Sequence, residues 1–332
     1  MSKFTQWRLL ILLIFCGSAG LGCASAPYQF GRFHDKAASE MPPTEVAFEY
    51  GKPNTFLDRM AWMVGFPSRI LPMSPNVNNH KFSQETSDKL TAYMQENDIT
   101  DVLVRVNQYD PKGEWRRLRE NKRIAPGWKY TFGAAGLVGY TIFPGRVFGG
   151  DTYNPFTNSL YVNSDVPAML IVEAAYAKDI HGRNLPGTYA AINEIPVLTL
   201  WRHTRAVNDT LGYALMNDDW EVERETYRVV YPLLGIHAAL GGHSAVSFAT
   251  PLPMLTVPIS AVGGAVAGHT VGRSTIARRE RERANESQRI LKDSEELDYD
   301  DTLESRLDPE SGIQLTGMAE PVGAEAGTND MP

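Results

Sequence analysis

Along the 332-residue chain the spacing of hydrophobic positions changes repeatedly, and each change marks an element. From Ser83 to Glu96, Leu90, Tyr93 and Met94 recur at helical spacing behind an N-cap serine, with Glu85 in the first turn. Asp101 to Asn107 alternates Val102, Val104 and Val106 with Leu103 and Arg105, which predicts a strand with one buried face. Trp115 to Arg123 predicts a short basic helix ended by Pro126-Gly127. Trp128 to Phe132 and Leu137 to Phe143 are aromatic and β-branched enough to predict two strands around Gly133-Ala134-Ala135-Gly136. Gly149-Gly150-Asp151 and Asn154-Pro155 read as turns, and Ser159 to Val162 as a short edge strand. Ser164 or Asp165, with Pro167 just behind, starts a helix carrying Glu173. A second long helix runs from Val197 to Met216, with Leu198, Trp201, Val207, Leu211 and Ala214 near one face.

Residues 229–272 contain no Asp, Glu, Lys or Arg, which is length enough for one or two membrane crossings. Four prolines, among them Pro232 and Pro258, dilute the segment, so a soluble glycine-rich helical core is the alternative. Gly264, Gly268 and Gly272 fall at four-residue intervals and line one helix face, a pattern that permits close helix contact in lipid and an oligomer built on it. Arg273, Arg278, Arg279, Arg281 and Arg283 form a basic block, and from Asp293 the chain is acidic, so residues 273–332 read as a basic, then acidic, disordered tail.

The N-terminus adds a compartment. Lys3 and Arg8 precede the apolar run Leu9 to Phe15, and small residues lead to Gly20-Leu21-Gly22-Cys23. This resembles a bacterial lipoprotein signal, which implies a signal peptide over residues 1–22, Cys23 as the lipidated first residue, and a membrane-anchored protein of the cell envelope on its periplasmic face. The alternative is a retained signal anchor. Residues 23–55, rich in Pro, Gly and small polar residues, read as a tether. The second cysteine, Cys16, lies inside the apolar run, so the mature body has no thiol for zinc ligation or nucleophilic catalysis. A net charge of −7 argues against a nucleic-acid partner. The partners expected are membrane lipid, through Cys23 and residues 229–272, and an unidentified protein.

Candidate chemistry centres on Ile171-Val172-Glu173-Ala174-Ala175-Tyr176-Ala177-Lys178-Asp179. Together with Tyr153 to Tyr161 before it and the helix after it, this stretch resembles the active-site region of a zincin-like metallopeptidase of the HExxH type, over about Ser83 to Ala214. The resemblance implies an α+β domain across residues 56–228. Val172 then stands at the first histidine position, Glu173 at the general base, and Tyr176 at the second histidine. Valine ligates no metal and a phenol is a poor substitute for imidazole, so zinc and the family's hydrolysis are not expected. Three functions follow as expectations: a non-catalytic pseudopeptidase that binds or scaffolds, an active hydrolase with ligands displaced to His181 and His203, and an oligomeric membrane component built on the glycine face. Beside them, Glu173 reads as a buried acid bonded to backbone or Tyr176, Lys178, Asp179 and His181 as a solvated helix end, and His203 as a surface side chain.

Overall fold

The computed structural model describes residues 46–52, 55–247 and 253–307. The chain divides into two compact units, Met1–Ala277 and Arg278–Pro332. The signal, Cys23 and most of the tether lie outside the described residues.

The first unit mixes α and β, with helices around a four-stranded sheet. In chain order it holds β1 (Phe48–Tyr50), α1 (Thr55–Val64), α2 (Phe66–Ile70), α3 (Gln84–Glu96), β2 (Leu103–Val106) and α4 (Pro111–Glu120). Helix α5 begins as Pro126–Trp128, passes through a π-helical turn, Lys129–Gly133, and finishes as Ala134–Ile142. Then come α6 (Gly145–Phe148), β3 (Thr152–Asn154), β4 (Ser159–Val162), α7 (Pro167–His181), α8 (Pro186–Asn193) and α9 (Pro196–Met216). Helix α10 joins Trp220–Glu225, a π-turn at Thr226–Val230 and Tyr231–Ser247, and α11 spans Pro253–Leu307 across the boundary between the units.

The sheet runs β1-β2-β4-β3, with β3 antiparallel at the edge and the other pairs parallel. Alternation along its strands sorts two faces. Val104, Val106, Leu160 and Val162 are buried in the main core with α3 and α7 residues. On the other face Arg105, Ser159 and Tyr161 meet α4, where the buried Glu114 pairs with Arg105 Nε at 2.7 Å and accepts the Ser159 and Tyr161 hydroxyls at 2.9 and 2.6 Å. Glu49 and Asp110 complete the partners of Arg105, at 3.1 and 3.4 Å.

Several expectations change here. Helix α3 forms behind Ser83, whose Oγ accepts the Thr86 N–H, but β2 is buried on both faces because helices cover both sides of the sheet. Residues 128–132 and 137–142 are helix, not strands. Pro126 starts α5, and Gly133 and Leu137, four apart, turn inward together, so helical burial overrides the β-branched composition. Ser159–Val162 is interior, and the edge strand is Thr152–Asn154, which the turn residues around it concealed. The C-terminal end of the tether is β1, held in register with Val104 to Val106. The basic helix is not simply solvated: Arg117 Nε donates to Thr157 O and its Nη2 to Asn158 O, clamping the turn between β3 and β4. Residues 273–307, expected to belong to a disordered tail, continue α11.

The uncharged segment forms the end of α10 and the start of α11, and among the described residues no helix is long and apolar enough to cross a membrane. Its glycine face is used inside the chain. A Cβ built on Gly264 would collide with Gly235 O, one on Gly268 with Tyr231 O, and one on Gly272 with Tyr227 O. The packing expected between chains in lipid is therefore taken by α10, because only glycine lets the two backbones touch. Gly268→Leu should force this pair apart and cost about 1–3 kcal/mol or more, as overpacking does. Urea denaturation followed by circular dichroism measures it, and an unchanged midpoint would contradict the packing.

Candidate functional site

Helix α7 is enclosed almost all round, with eleven of its residues from Ala168 to Ile180 buried. Apolar residues on every side suit a helix that other elements surround. Pro167 sits in its first turn, but neither expected starter caps it. Asp165 Oδ1 instead accepts from the Ser83 N–H at 3.0 Å, the Ser83 hydroxyl at 2.7 Å and the Thr86 hydroxyl at 2.6 Å, tying this end to α3. The open N–H of Ala168 is taken by Glu225 Oε2 at 2.9 Å, and burial pushes that carboxyl up to about 7.

Edge strand β3 lies against this helix. The Tyr153 N–H donates to Glu173 Oε2 at 2.9 Å, the Tyr153 ring packs edge-on to Tyr176 at 5.8 Å, and its hydroxyl donates to Asn158 Oδ1 at 2.8 Å. The two reference positions of the expected motif are thus both spent on one strand residue. Burial raises the Glu173 carboxyl above its ordinary value, with Arg202 and the Tyr153 bond pulling the other way. Val172 lies in the core and offers no donor. Burial pushes the Tyr176 phenol up to about 12, while Arg202 opposes it, so a ligating phenolate is strongly disfavoured. Among the described residues no group of three metal-ligating side chains exists, and this donor set does not fit zinc.

The displaced-ligand candidates do not converge on Glu173. His181 is buried at the hairpin end, its Nε2 3.1 Å from Asn158 Oδ1 and 3.3 Å from the Tyr153 hydroxyl. His203 is not a surface side chain: its Nε2 is buried, and its ring lies 4.2 Å from that of His237. Burial holds it well below the usual imidazole value, and His237 adds to this. Nor is the end of α7 solvated. Lys178 Nζ pairs with Asp209 at 2.6 Å, and Asp179 receives Arg183, Arg205 and the Tyr189 hydroxyl. Lys178, Asp179, Arg183, Arg205 and Asp209 line a second, polar cavity of about 360 Å³.

The residue that does reach the motif is Arg202. Its guanidinium carbon sits 4.4 Å from the Tyr176 ring centroid. Arg202, Arg205 and Asp209 stand three and four apart on α9, and they meet Tyr176, Asp179 and Lys178 of α7. That spacing was present in the chain, but a search for His, Asp and Glu ligands passes over an arginine. Arg202 also lines the larger cavity, about 480 Å³, bounded by β3, by Phe132 to Tyr140 of α5 and by Glu194. The π-turn of α5 sits at this wall, with Lys129 Nζ satisfied by Arg119 O and Asn121 O.

Protein-family models, curated proteins and solved structures were all compared with the chain. None matches.

Two outcomes follow from this geometry. Glu173→Ala leaves the buried Tyr153 N–H without its acceptor and should cost about 1–3 kcal/mol, whereas Glu173→Gln, which retains an oxygen, should cost less; chemical denaturation of both variants ranks them. Burial lowers His181 to about 4, with Asp101 opposing, so the folded state binds fewer protons there than the unfolded chain. Its contribution to stability is present above about pH 6.5 and is lost as the pH falls toward 4. An imidazole NMR titration should give a His181 midpoint near 4, and a midpoint near 6.5 would contradict the burial.

Proposed function

We propose that this chain is a membrane-anchored lipoprotein of the bacterial cell envelope whose zincin-like domain binds a protein partner and does not hydrolyse peptides. The observation that carries this reading is the 2.9 Å bond from the Tyr153 N–H to Glu173 Oε2. A general base of that family must be free to take a proton from metal-bound water. Here the carboxylate is buried and serves as the acceptor for an edge strand.

The mixed α+β architecture supports the family reading only at its coarsest: a small mixed sheet precedes the glutamate-bearing helix, and a later long helix packs against that helix. Arg202 beside Tyr176 supports the loss of metal, since a fixed guanidinium supplies positive charge near the ligand positions without any ion. The cleft between β3 and α5 is the binding surface, walled by Phe132 and Tyr140 with the polar groups Glu194 and Arg202. Attachment at Cys23 accords with the outward-facing Phe56, Trp62, Met63 and Phe66 on α1 and α2, an apolar surface suited to lying near lipid.

The test uses the full-length chain purified in detergent. Metal analysis should find far less than one zinc per chain, and incubation with unfolded casein should yield no cleavage. Metabolic labelling with a radioactive fatty acid should mark the protein and fail in Cys23→Ser. One tightly held zinc per chain, with hydrolysis abolished by Glu173→Gln, would overturn the non-catalytic reading, and labelling that survives Cys23→Ser would overturn the lipoprotein one.

A further inference from the structure

We infer that the 480 Å³ cleft takes a peptide bearing a carboxylate, and that Arg202 is the anchor for it. The inference rests on the reading of this cleft as a binding surface and specifies what it binds.

The two guanidinium groups that line the cavity differ in their partners. Arg105 is consumed by Glu49, Asp110 and Glu114 at 3.1, 3.4 and 2.7 Å. Arg202 forms no ion pair within 4.0 Å among the described residues, and its buried Nε has no hydrogen-bond partner. Its guanidinium lies over the Tyr176 ring, and the Glu173 and Glu194 carboxylates act on it only from beyond 4.0 Å, so no anion meets it at contact distance among the described residues. A buried donor in this state gains much from an anionic acceptor, and a guanidinium offers a carboxylate two parallel N–H donors.

The remaining walls select the rest of the ligand. Phe132, Tyr140 and Phe156 supply apolar surface, and β3 pairs with β4 along one edge only. Glu173 occupies the Tyr153 N–H, so pairing along that strand cannot provide all of the affinity, and a charged anchor is what remains. Glu194 is exposed at the rim, where its charge disfavours a second carboxylate and suits the N–H donors of a peptide backbone. A volume of this size lies within the roughly 300–1,000 Å³ of small-ligand sites, enough for a few residues of extended chain.

Gly136 makes the site testable without disturbing the core. It lines the cavity, and a Cβ built on it meets nothing within 4 Å. Gly136→Leu therefore fills the cleft while leaving the packing intact.

The experiment measures binding of three probes to the full-length chain in detergent by calorimetry: N-acetyl-trileucine as the free acid, the same peptide as its amide, and an amide whose central residue is glutamate. The free acid should bind at least roughly tenfold more tightly than the trileucine amide, in line with a charge-assisted bond. Arg202→Gln should bring that ratio near one, Arg202→Lys should restore part of it, and Gly136→Leu should weaken all three. Equal binding of the glutamate amide and the free acid assigns the carboxylate to a side chain, and preference for the free acid assigns it to the C-terminus; each supports Arg202 as the anchor. Acid and amide binding equally, both weakened by Gly136→Leu, would leave the cleft as a binding surface and overturn the carboxylate. Binding of none of the probes, or binding indifferent to Gly136→Leu, would overturn the cleft itself. If Arg202→Gln does not fold, Arg202→Lys carries the comparison, and an acid-to-amide ratio unchanged from that of the unmodified protein would overturn Arg202 as the anchor.

Discussion

The enclosure of helix α7 is the constraint from which most of this structure follows. A helix with water on one side can leave polar groups exposed there, but this one is covered by α3, α9 and the sheet. Each polar side chain it carries must therefore find a partner inside the protein or cost several kcal/mol. Glu173 takes the Tyr153 N–H, Lys178 takes Asp209, and Asp179 takes two arginines and a tyrosine. Even the start of the helix, which has no capping side chain of its own, borrows Glu225. The motif that resembles an active site is thus held in place by the same rule that governs any buried polar group.

The opposite face of the sheet obeys that rule with stronger charges. Arg105 and Glu114 are both fully buried, and removing one member of such a pair typically costs about 3–5 kcal/mol because the other is left uncompensated. The Ser159 and Tyr161 hydroxyls occupy the second share of Glu114, so two strands and α4 are locked through one carboxylate. Arg105 and Tyr161 of this network line the cleft, and the three carboxylates on Arg105 explain why it is not available to a ligand there. Arg202, reaching in from α9, has no ion pair within 4.0 Å among the described residues and is acted on by Glu173 and Glu194 from farther off. The contrast between two guanidinium groups, one ion-paired at contact distance and one not, gives the cleft its polarity.

Close backbone approach sets the remaining geometry. Gly235 and Gly264 admit contact between α10 and α11 that any larger side chain would prevent, and Ile276 packs against the main core from the same helix. A glycine repeat is a statement about distance between helices and carries no information about whether lipid or protein surrounds them. Here it joins the glycine-rich segment to the domain that precedes it.

What the amino-acid order determined by itself was the local content. Ser83 announces α3, the valines from 102 to 106 announce β2, Pro167 announces α7, and Val172 and Tyr176 stand where the resembled motif has its two imidazoles, because each depends on a residue's own chemistry or on neighbours a few positions away. It misjudged α5, where aromatic residues favour strands until Gly133 and Leu137 are given a core to face. It also missed β1 and β3, short strands whose only evidence is a partner far along the chain. The partners of Glu173 and the surroundings of Arg202 could be decided only by tertiary structure. Tyr153 precedes Glu173 by twenty residues and Arg202 follows Tyr176 by twenty-six, separations over which no periodicity carries a signal. Whether a buried charge is satisfied depends on what the fold brings beside it, and that is a property of packing in three dimensions.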